Sequence, residues 1–186
     1  MSNNDSLVER SKAFAIAAHR AIDHRRKYTG DPYDVHLSAV AELVESVGGT
    51  PEMIAAAWLH DTVEDTPTTI SDIEREFGPR VAELVRALTD VSRLEHGNRA
   101  VRKALDRNHL AGSTSEAQTI KIADLIDNSI SICKHDGRFA KIYMQEMKQL
   151  VEALTRGNSE LRNAAVEILH RFFSDPNGER HSRLST

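Results

Sequence analysis

Two acidic positions and a histidine in this chain stand where helices would ordinarily carry apolar side chains. His60 and Asp61 directly follow the apolar run Ala55–Leu59, and Asp124 lies inside the apolar stretch Ile120–Ile126. An unpaired carboxylate is costly to bury, so each acid needs a cation, a proton or several hydrogen-bond donors. Taken alone, each segment also fits an ordinary explanation: the polar rim of a helix end for the first, and a capping or arginine-paired aspartate for the second.

A further histidine changes the balance between these explanations. His36, in the first turn of a predicted helix, lies 24 positions before His60 (60 − 36) and completes a set of two imidazoles and two carboxylates. Such a set suits a borderline divalent cation such as Mn²⁺, Fe²⁺ or Zn²⁺, whereas Ca²⁺ prefers oxygen ligands throughout. Four protein ligands on an octahedral ion leave room for water and a substrate oxygen. The pattern therefore predicts a hydrolytic metal centre.

Two more acids follow this set at helical spacing. Glu64 comes three positions after Asp61 and four after His60, and Asp65 comes four after Asp61. Residues three and four apart lie on the same face of a helix, so these acids can flank one cleft. Glu64, crowded by acids in a partly apolar segment, is suited to proton transfer through a raised pKa.

The elements that must position these residues are helices. Apolar residues recur every three or four positions along most of the chain, and the alternation typical of strands is almost absent. Thr50-Pro51-Glu52 is a helix-start signal, and we predict one helix from there through Asp65. Further helices are predicted at Val35–Val47, Ile70–Phe77, Arg80–Thr89, Asn98–His109, Glu116–Lys134, Arg138–Leu154 and Ser159–Phe173. The fold class is thus all-α: one helical bundle of about eight to ten helices over residues 1–175, with a polar tail at 176–186.

Composition restricts the compartment and the partners. The chain has 186 residues, one cysteine, and 24 Lys+Arg against 28 Asp+Glu, for a formal net charge of -4. This charge disfavours binding to a nucleic acid polymer, although a local basic patch for a phosphorylated ligand remains open. No apolar run approaches the roughly 20 residues of a membrane helix, and we see no secretory signal. A single cysteine fits a reducing compartment, so we expect a cytoplasmic protein.

The sequence resembles the HD-domain metal-dependent phosphohydrolases, and more narrowly the hydrolase domain of RelA/SpoT enzymes and the stand-alone small alarmone hydrolases. The resemblance covers about residues 6–156 and rests on motifs in a fixed order. They are Arg26-Lys27, Gly30-Asp31-Pro32-Tyr33 leading to His36, His60-Asp61-Thr62-Val63-Glu64-Asp65-Thr66, Phe77-Gly78, Lys121-Ile122-Ala123-Asp124, and Asn128. One departure is Leu37, where the family commonly has proline after its first metal-binding histidine.

The resemblance implies a site and a reaction. It implies that one Mn²⁺ is held by His36, His60, Asp61 and Asp124. It further implies that Glu64 and Asp65 position and activate the attacking water, and that Asn128 contacts the nucleoside. The substrate would be a nucleotide with a 3′-pyrophosphate, typically guanosine tetraphosphate or pentaphosphate, cleaved to pyrophosphate and a 5′-phosphorylated nucleoside.

The base is the less defined part of that implied substrate. The family's arginine-lysine pair corresponds to Arg26 and Lys27 with a loop one residue longer, or to Lys27 and Tyr28 without a gap. Since that arginine stacks on the base, and Tyr28 would be a platform for any purine, an adenine alarmone stands beside the guanine one. Tyr143 either lines the nucleoside pocket or packs in the core. The basic stripe of Arg99, Arg102 and Lys103 either meets the phosphates of the substrate or forms a solvated helix face, and we favour the solvated face.

Two other functions compete with alarmone hydrolysis. One is an HD phosphohydrolase of ordinary nucleotides, such as a 5′-nucleotidase, and the other is an HD domain that senses a nucleotide without turnover. The Glu64-Asp65 extension favours the alarmone hydrolase over the first. Sensing domains of this family usually lack a metal ligand, and none is missing here. The sequence leaves the oligomeric state open.

Overall fold

The computed structural model describes residues 3–174, and these residues form helices joined by short loops without any β-strand. The α-helices are α1 (Asn3–Ala21), α2 (Asp34–Ser46), α3 (Pro51–Leu59), α4 (Thr62–Asp65), α5 (Ile70–Phe77), α6 (Pro79–Leu88), α7 (Arg99–Gly112), α8 (Ser115–His135), α9 (Gly137–Ala153) and α10 (Ser159–Ser174). The predicted all-α class and helix number are confirmed. The predicted tail, 176–186, lies outside the described residues, so the domain division at 175 stays a prediction. Within 3–174, none of the helices has the length and hydropathy to span a bilayer.

Helix α3 is the centre of the bundle. It packs against α1, α2, α6 and α8, and six of its nine residues are buried. Its start follows the sequence signal, because the Thr50 hydroxyl accepts a hydrogen bond from the Met53 amide (3.3 Å) and Pro51 occupies the first turn. A helix surrounded on every side must be apolar all round, which explains the run Ala55–Leu59.

The single helix predicted from Thr50 through Asp65 is wrong at one point. The structure divides it into α3 and α4, with a turn at His60 and Asp61. The cause is the His60 side chain, whose Nδ1–H donates to the carbonyl of Ala57 (2.8 Å). In an uninterrupted helix that carbonyl would accept from the amide of Asp61. The competition ends α3 at the two residues that carry the candidate chemistry.

Helix α8 crosses the bundle beside α3 and brings the second acid to the same place. It also packs against α2, α9 and α10, and eleven of its 21 residues are buried. The buried Gln118 near its start joins three parts of the chain. Its Nε2 donates to the carbonyl oxygens of Leu110, Ala111 and Ser113 (3.3, 3.1 and 3.4 Å), and its Oε1 accepts from the amide of Arg156 (2.9 Å).

We predict that Gln118→Ala destabilises the fold by about 2–3 kcal/mol, because it removes the hydrogen bonds of a buried amide and leaves the Arg156 amide without its acceptor. Urea unfolding followed by circular dichroism measures this difference. Gln145→Ala, which removes an exposed amide from α9, is the matched control and should change the free energy of unfolding by less than about 0.5 kcal/mol. Equal stability of the two variants would show that the Gln118 network contributes nothing.

Candidate metal centre and cleft

The four residues of the sequence-predicted metal set meet at the junction of α2, α3 and α8. Ligand atoms of His36, His60 and Asp124 all lie within 4.8 Å of one another. Asp61 Oδ2 lies 3.6 Å from His36 Nε2 and 3.1 Å from His60 Nε2, while Asp124 Oδ1 lies 3.3 and 3.7 Å from the same two nitrogens. Both imidazoles are buried. The structure therefore brings together residues separated by up to 88 positions (124 − 36).

The protonation of the two imidazoles follows from their other contacts. His36 Nδ1 faces a carboxylate oxygen of Asp127 (2.6 Å), and His60 Nδ1 faces the carbonyl oxygen of Ala57 (2.8 Å). Both partners accept hydrogen bonds, so each Nδ1 carries the proton. In the neutral imidazoles, both Nε2 lone pairs then point at carboxylates. Within the described residues, neither Nε2 has a hydrogen-bond partner. Such an arrangement needs a cation between the groups, and the residues fit a divalent metal ion.

The electrostatics of the cluster lead to the same requirement. Although burial opposes it, the Asp61 and Asp124 carboxylates raise the pKa of His60 to about 9. Burial alone would raise the pKa of Asp61, but His60 and His36 hold that pKa well below its usual value. Burial alone would also raise the pKa of Asp124, but Lys121 holds that pKa well below its usual value. The Lys121 Nζ lies 2.8 Å from Asp124 Oδ2. The centre thus keeps its carboxylates ionised and favours a positive charge between them.

Tyr33 supports Asp61 from outside the metal set. Its hydroxyl donates to Asp61 Oδ2 (2.5 Å), and its ring stacks on His24 with centroids 3.8 Å apart. His24 Nδ1 in turn lies 2.9 Å from Nδ1 of the buried His19, so one imidazole donates to the other. Burial and the neighbouring His24 lower the pKa of His19 to about 4. A stack of aromatic rings therefore fixes the tyrosine that holds Asp61.

Glu64 and Asp65 lie on α4 beside the centre but face different neighbours. Glu64 Oε1 accepts from the backbone amide of Asp90 (2.5 Å), between α6 and α7. Asp65 Oδ2 lies 3.8 Å from His24 Nδ1, on the opposite side. The Glu64 side chain retains contact with solvent, yet protein atoms displace enough water from its carboxylate to raise its pKa to about 7. Burial and Asp61 raise the pKa of Asp65 as well. Glu64 therefore has a pKa suited to accepting a proton near neutral pH.

Four of the residues predicted to bind a nucleoside line the same recess. A recess of about 180 Å³ is lined by Arg26, Lys27, Tyr28, Tyr33, Asn128, Ser131, Ile132 and Phe139. Arg26 Nη1 donates to Asn128 Oδ1 (3.1 Å), so the one-residue-longer loop places Arg26, rather than Lys27, beside Asn128. The Lys27 ammonium instead lies over the Tyr28 ring, 4.9 Å from its centroid.

A second cavity, of about 290 Å³, lies between α7, α8 and α9. Its charged lining includes cations from α7 and α8 and the acids that pair with them: Arg99, Lys103, Arg107, Lys121, Asp90, Asp106, Asp124 and Glu146. Tyr143 borders this cavity, and its hydroxyl donates to the carbonyl of Leu125 (3.3 Å). Arg99 and Lys103 therefore line a cavity beside Asp124, which fits the alternative that the stripe meets phosphates better than the favoured solvated face.

The sequence analysis missed two residues that contact the metal set. Tyr33 was noted only in the turn before α2, and Asp127 was given no role. Asp127 follows Asp124 by three residues on α8, and this helical spacing was the available signal. Nothing in the local sequence around Tyr33 indicates its contact with Asp61, which depends on how α2 packs beside α3.

Comparison with known proteins places this geometry in a family. A family profile described as "HD domain" matches residues 13–125. The chain is 32% identical over 168 residues to "Guanosine-3′,5′-bis(diphosphate) 3′-pyrophosphohydrolase MESH1" of Xenopus tropicalis, covering 87% of this chain and 92% of that protein. It is 28% identical over 177 residues to "GTP pyrophosphokinase rsh" of Brucella melitensis, covering 92% of this chain. It spans only 23% of the length of that Brucella relative.

A solved structure has the same arrangement of helices. It is described as "A metazoan ortholog of SpoT hydrolyzes ppGpp and plays a role in starvation responses", and it superimposes with a TM-score of 0.79 at 30% sequence identity. The alignment covers 89% of this chain and 94% of that one. The similarity therefore extends over nearly the whole of both chains and includes the helices that carry the His and Asp cluster.

We predict that Asp61→Asn and Asp124→Asn each remove most of the bound divalent metal, because a neutral amide is a far weaker ligand than a carboxylate. Metal content of the purified variants, measured by mass spectrometry, tests this. Asp23→Asn is the matched control, since Asp23 is exposed and has a positive φ of 50° that asparagine also tolerates. Full metal occupancy in both ligand variants would exclude this cluster as the metal site.

Proposed function

This chain belongs to the HD-domain family, and we propose that it is a metal-dependent 3′-pyrophosphohydrolase of alarmone nucleotides. Its substrates would be (p)ppGpp, the adenine counterpart (p)ppApp, or both, and its products pyrophosphate and a 5′-phosphorylated nucleoside. The observation that carries the proposal is the buried cluster of two imidazoles and two carboxylates, with Glu64 at one side and a cation-lined cavity at the other. The similarity to a full-length 3′-pyrophosphohydrolase supports the bond that we assign.

The metal that we propose is one Mn²⁺ per chain, held by His36, His60, Asp61 and Asp124. Two imidazole nitrogens and two carboxylate oxygens form a mixed donor set that suits Mn²⁺ and related divalent ions. When bound there, such an ion would stabilise the charge that develops on the phosphate oxygens and lower the pKa of a water molecule. Because Cys133 is a free thiol, we place the reaction in the reducing cytoplasm.

Side chains around the metal site carry out the other steps of the proposed reaction. Glu64 accepts the proton of the attacking water, and Asp65 helps to orient that water from the His24 side. Lys121, partly buried and ion-paired to Asp124, adds fixed positive charge where the leaving pyrophosphate forms. Arg26 and Asn128 hold the nucleoside in the recess beyond.

Three aromatic or basic residues complete the substrate site in this proposal. Tyr28 and Lys27 form the outer wall of the recess, and their ring and ammonium lie against each other. Tyr143 borders the cavity on the other side of Asn128. Tyr28 would provide a flat surface that any purine can stack on, which is the reason we retain both guanine and adenine substrates.

Product analysis tests the function directly. With Mn²⁺ present, ppGpp and ppApp should each release intact pyrophosphate and leave the nucleoside 5′-diphosphate, as resolved by ion-exchange chromatography. Ordinary 5′-nucleotides should remain uncleaved. Release of orthophosphate from 5′-nucleotides, with both alarmones intact, would instead identify a 5′-nucleotidase. Tight nucleotide binding without cleavage of any compound would identify a sensing domain.

We predict that Glu64→Gln retains metal and nucleotide binding but lowers turnover about 10²-fold or more, the usual effect of removing a positioned acid–base group. Steady-state kinetics and metal analysis on the same preparation separate the two properties. Glu45→Gln, an exposed position on α2, serves as the control and should keep wild-type turnover. Loss of the metal in Glu64→Gln would make Glu64 a ligand and contradict its role as the proton acceptor.

We also predict that Lys103→Ala raises KM for the alarmone by about 10–100-fold, the cost of losing one charge-assisted contact to a phosphate. Its Nζ lies at the cavity wall, 2.9 Å from Asp90 Oδ2. A phosphate bound in the cavity can attract this ammonium group away from Asp90. Lys148→Ala on the exposed face of α9 is the control. If KM is equal in both variants, the phosphates do not extend into this cavity.

A further inference from the structure

Asp127 contacts a metal ligand and a nucleoside-site residue through the same oxygen atom. Its Oδ2 lies 2.6 Å from His36 Nδ1 and 3.0 Å from Arg26 Nη2. We propose that Asp127 is a positioning residue that couples metal binding to nucleoside binding. The inference deepens the proposed function, because it relies on Arg26 contacting the base.

The first half of the coupling is the orientation of His36. A carboxylate that accepts the Nδ1–H fixes the ring and makes Nε2 a stronger electron donor toward a metal. Asp127 provides this contact to a His36 ring that is completely buried. The second imidazole lacks such a partner, since His60 donates to the neutral carbonyl of Ala57. Of the two histidines, His36 is therefore the one whose metal affinity depends on a charged neighbour.

The second half is the fixed position of Arg26. Its Nη2 pairs with Asp127, and its Nη1 donates to Asn128 Oδ1, 3.1 Å away. The amide of Asn128 then donates to Asp124 Oδ1 (2.6 Å). One guanidinium is thus connected to two of the four metal-binding residues, through Asp127 to His36 and through Asn128 to Asp124. The Arg26 side chain is only 12% exposed, which limits its freedom to leave this network.

This arrangement has a thermodynamic consequence. A nucleotide that orders Arg26 also orders the groups that hold His36 and Asp124, and a metal that orders those ligands orders Arg26. Coupling between two sites is reciprocal, so each ligand should strengthen the binding of the other by the same factor. Removing the charge of Asp127 should break the coupling while leaving all four metal ligands in the chain.

Calorimetric titration of metal-stripped protein with Mn²⁺ tests the first half without any turnover. We expect Asp127→Asn, which retains an oxygen acceptor for His36 but loses the charge, to weaken Mn²⁺ binding by about 10–100-fold. Asp127→Glu should recover part of the affinity, and the exposed Asp23→Asn should bind as the wild type does. Wild-type affinity in a folded Asp127→Asn variant overturns the inference.

The second half is tested by repeating the titration with GDP present. We expect GDP to tighten Mn²⁺ binding to the wild type. It should have no such effect on Asp127→Asn, nor on Arg26→Met, a substitution at a residue that itself contacts no metal ligand. A purely structural role for Asp127 would lower thermal stability and leave this GDP effect in place, which would contradict the coupling. Because these measurements involve no hydrolysis, a failure of the proposed alarmone activity would leave their outcome intact.

Discussion

The constraint on which this structure depends is negative charge placed beside the Nε2 atoms of two buried imidazoles, a site that requires protons or a metal cation between the groups. Two Nε2 lone pairs and the carboxylates of Asp61 and Asp124 converge within an apolar bundle. Such a cluster repels itself unless a cation occupies the space between its members. The end of α3 at His60, the start of α2 and the middle of α8 are therefore held at one point by electrostatics as well as by packing. The packing of these helices and the assembly of the metal centre therefore depend on the same residues.

The contacts around this centre show how a helical bundle makes such charge tolerable. Each charged group has a second partner that directs it: Lys121 for Asp124, Tyr33 for Asp61, and Asp127 for His36. Tyr33 and Asp127 are distant in sequence from the residues that they direct, whereas Lys121 lies one helical turn before Asp124 on α8. The stack of His19, His24 and Tyr33 extends the support by one further layer of packed rings.

Much of this could be predicted from the sequence, and the parts that could not have a common physical cause. Helical periodicity and the Thr50 cap gave the bundle, and buried polar residues gave the metal set, because both signals lie within short segments. The turn at His60 was missed because a side chain competes for a backbone carbonyl there. Asp127 was missed, and a solvated face was favoured for Arg99 and Lys103, because their contacts arise from packing between helices distant in sequence.

In the function proposed above, tolerance for either purine would follow from the way Arg26 is held as well as from the Tyr28 ring. Both of its terminal nitrogens are engaged, one by Asp127 and one by Asn128. A guanidinium whose N–H groups donate to these two acceptors can offer a base its flat face and has little capacity left to read the hydrogen-bonding edge. Every base has a π-face, so stacking alone discriminates weakly between guanine and adenine. The same hydrogen bonds that connect Arg26 to the metal centre thus remove it from base discrimination, which must come from groups farther along the recess.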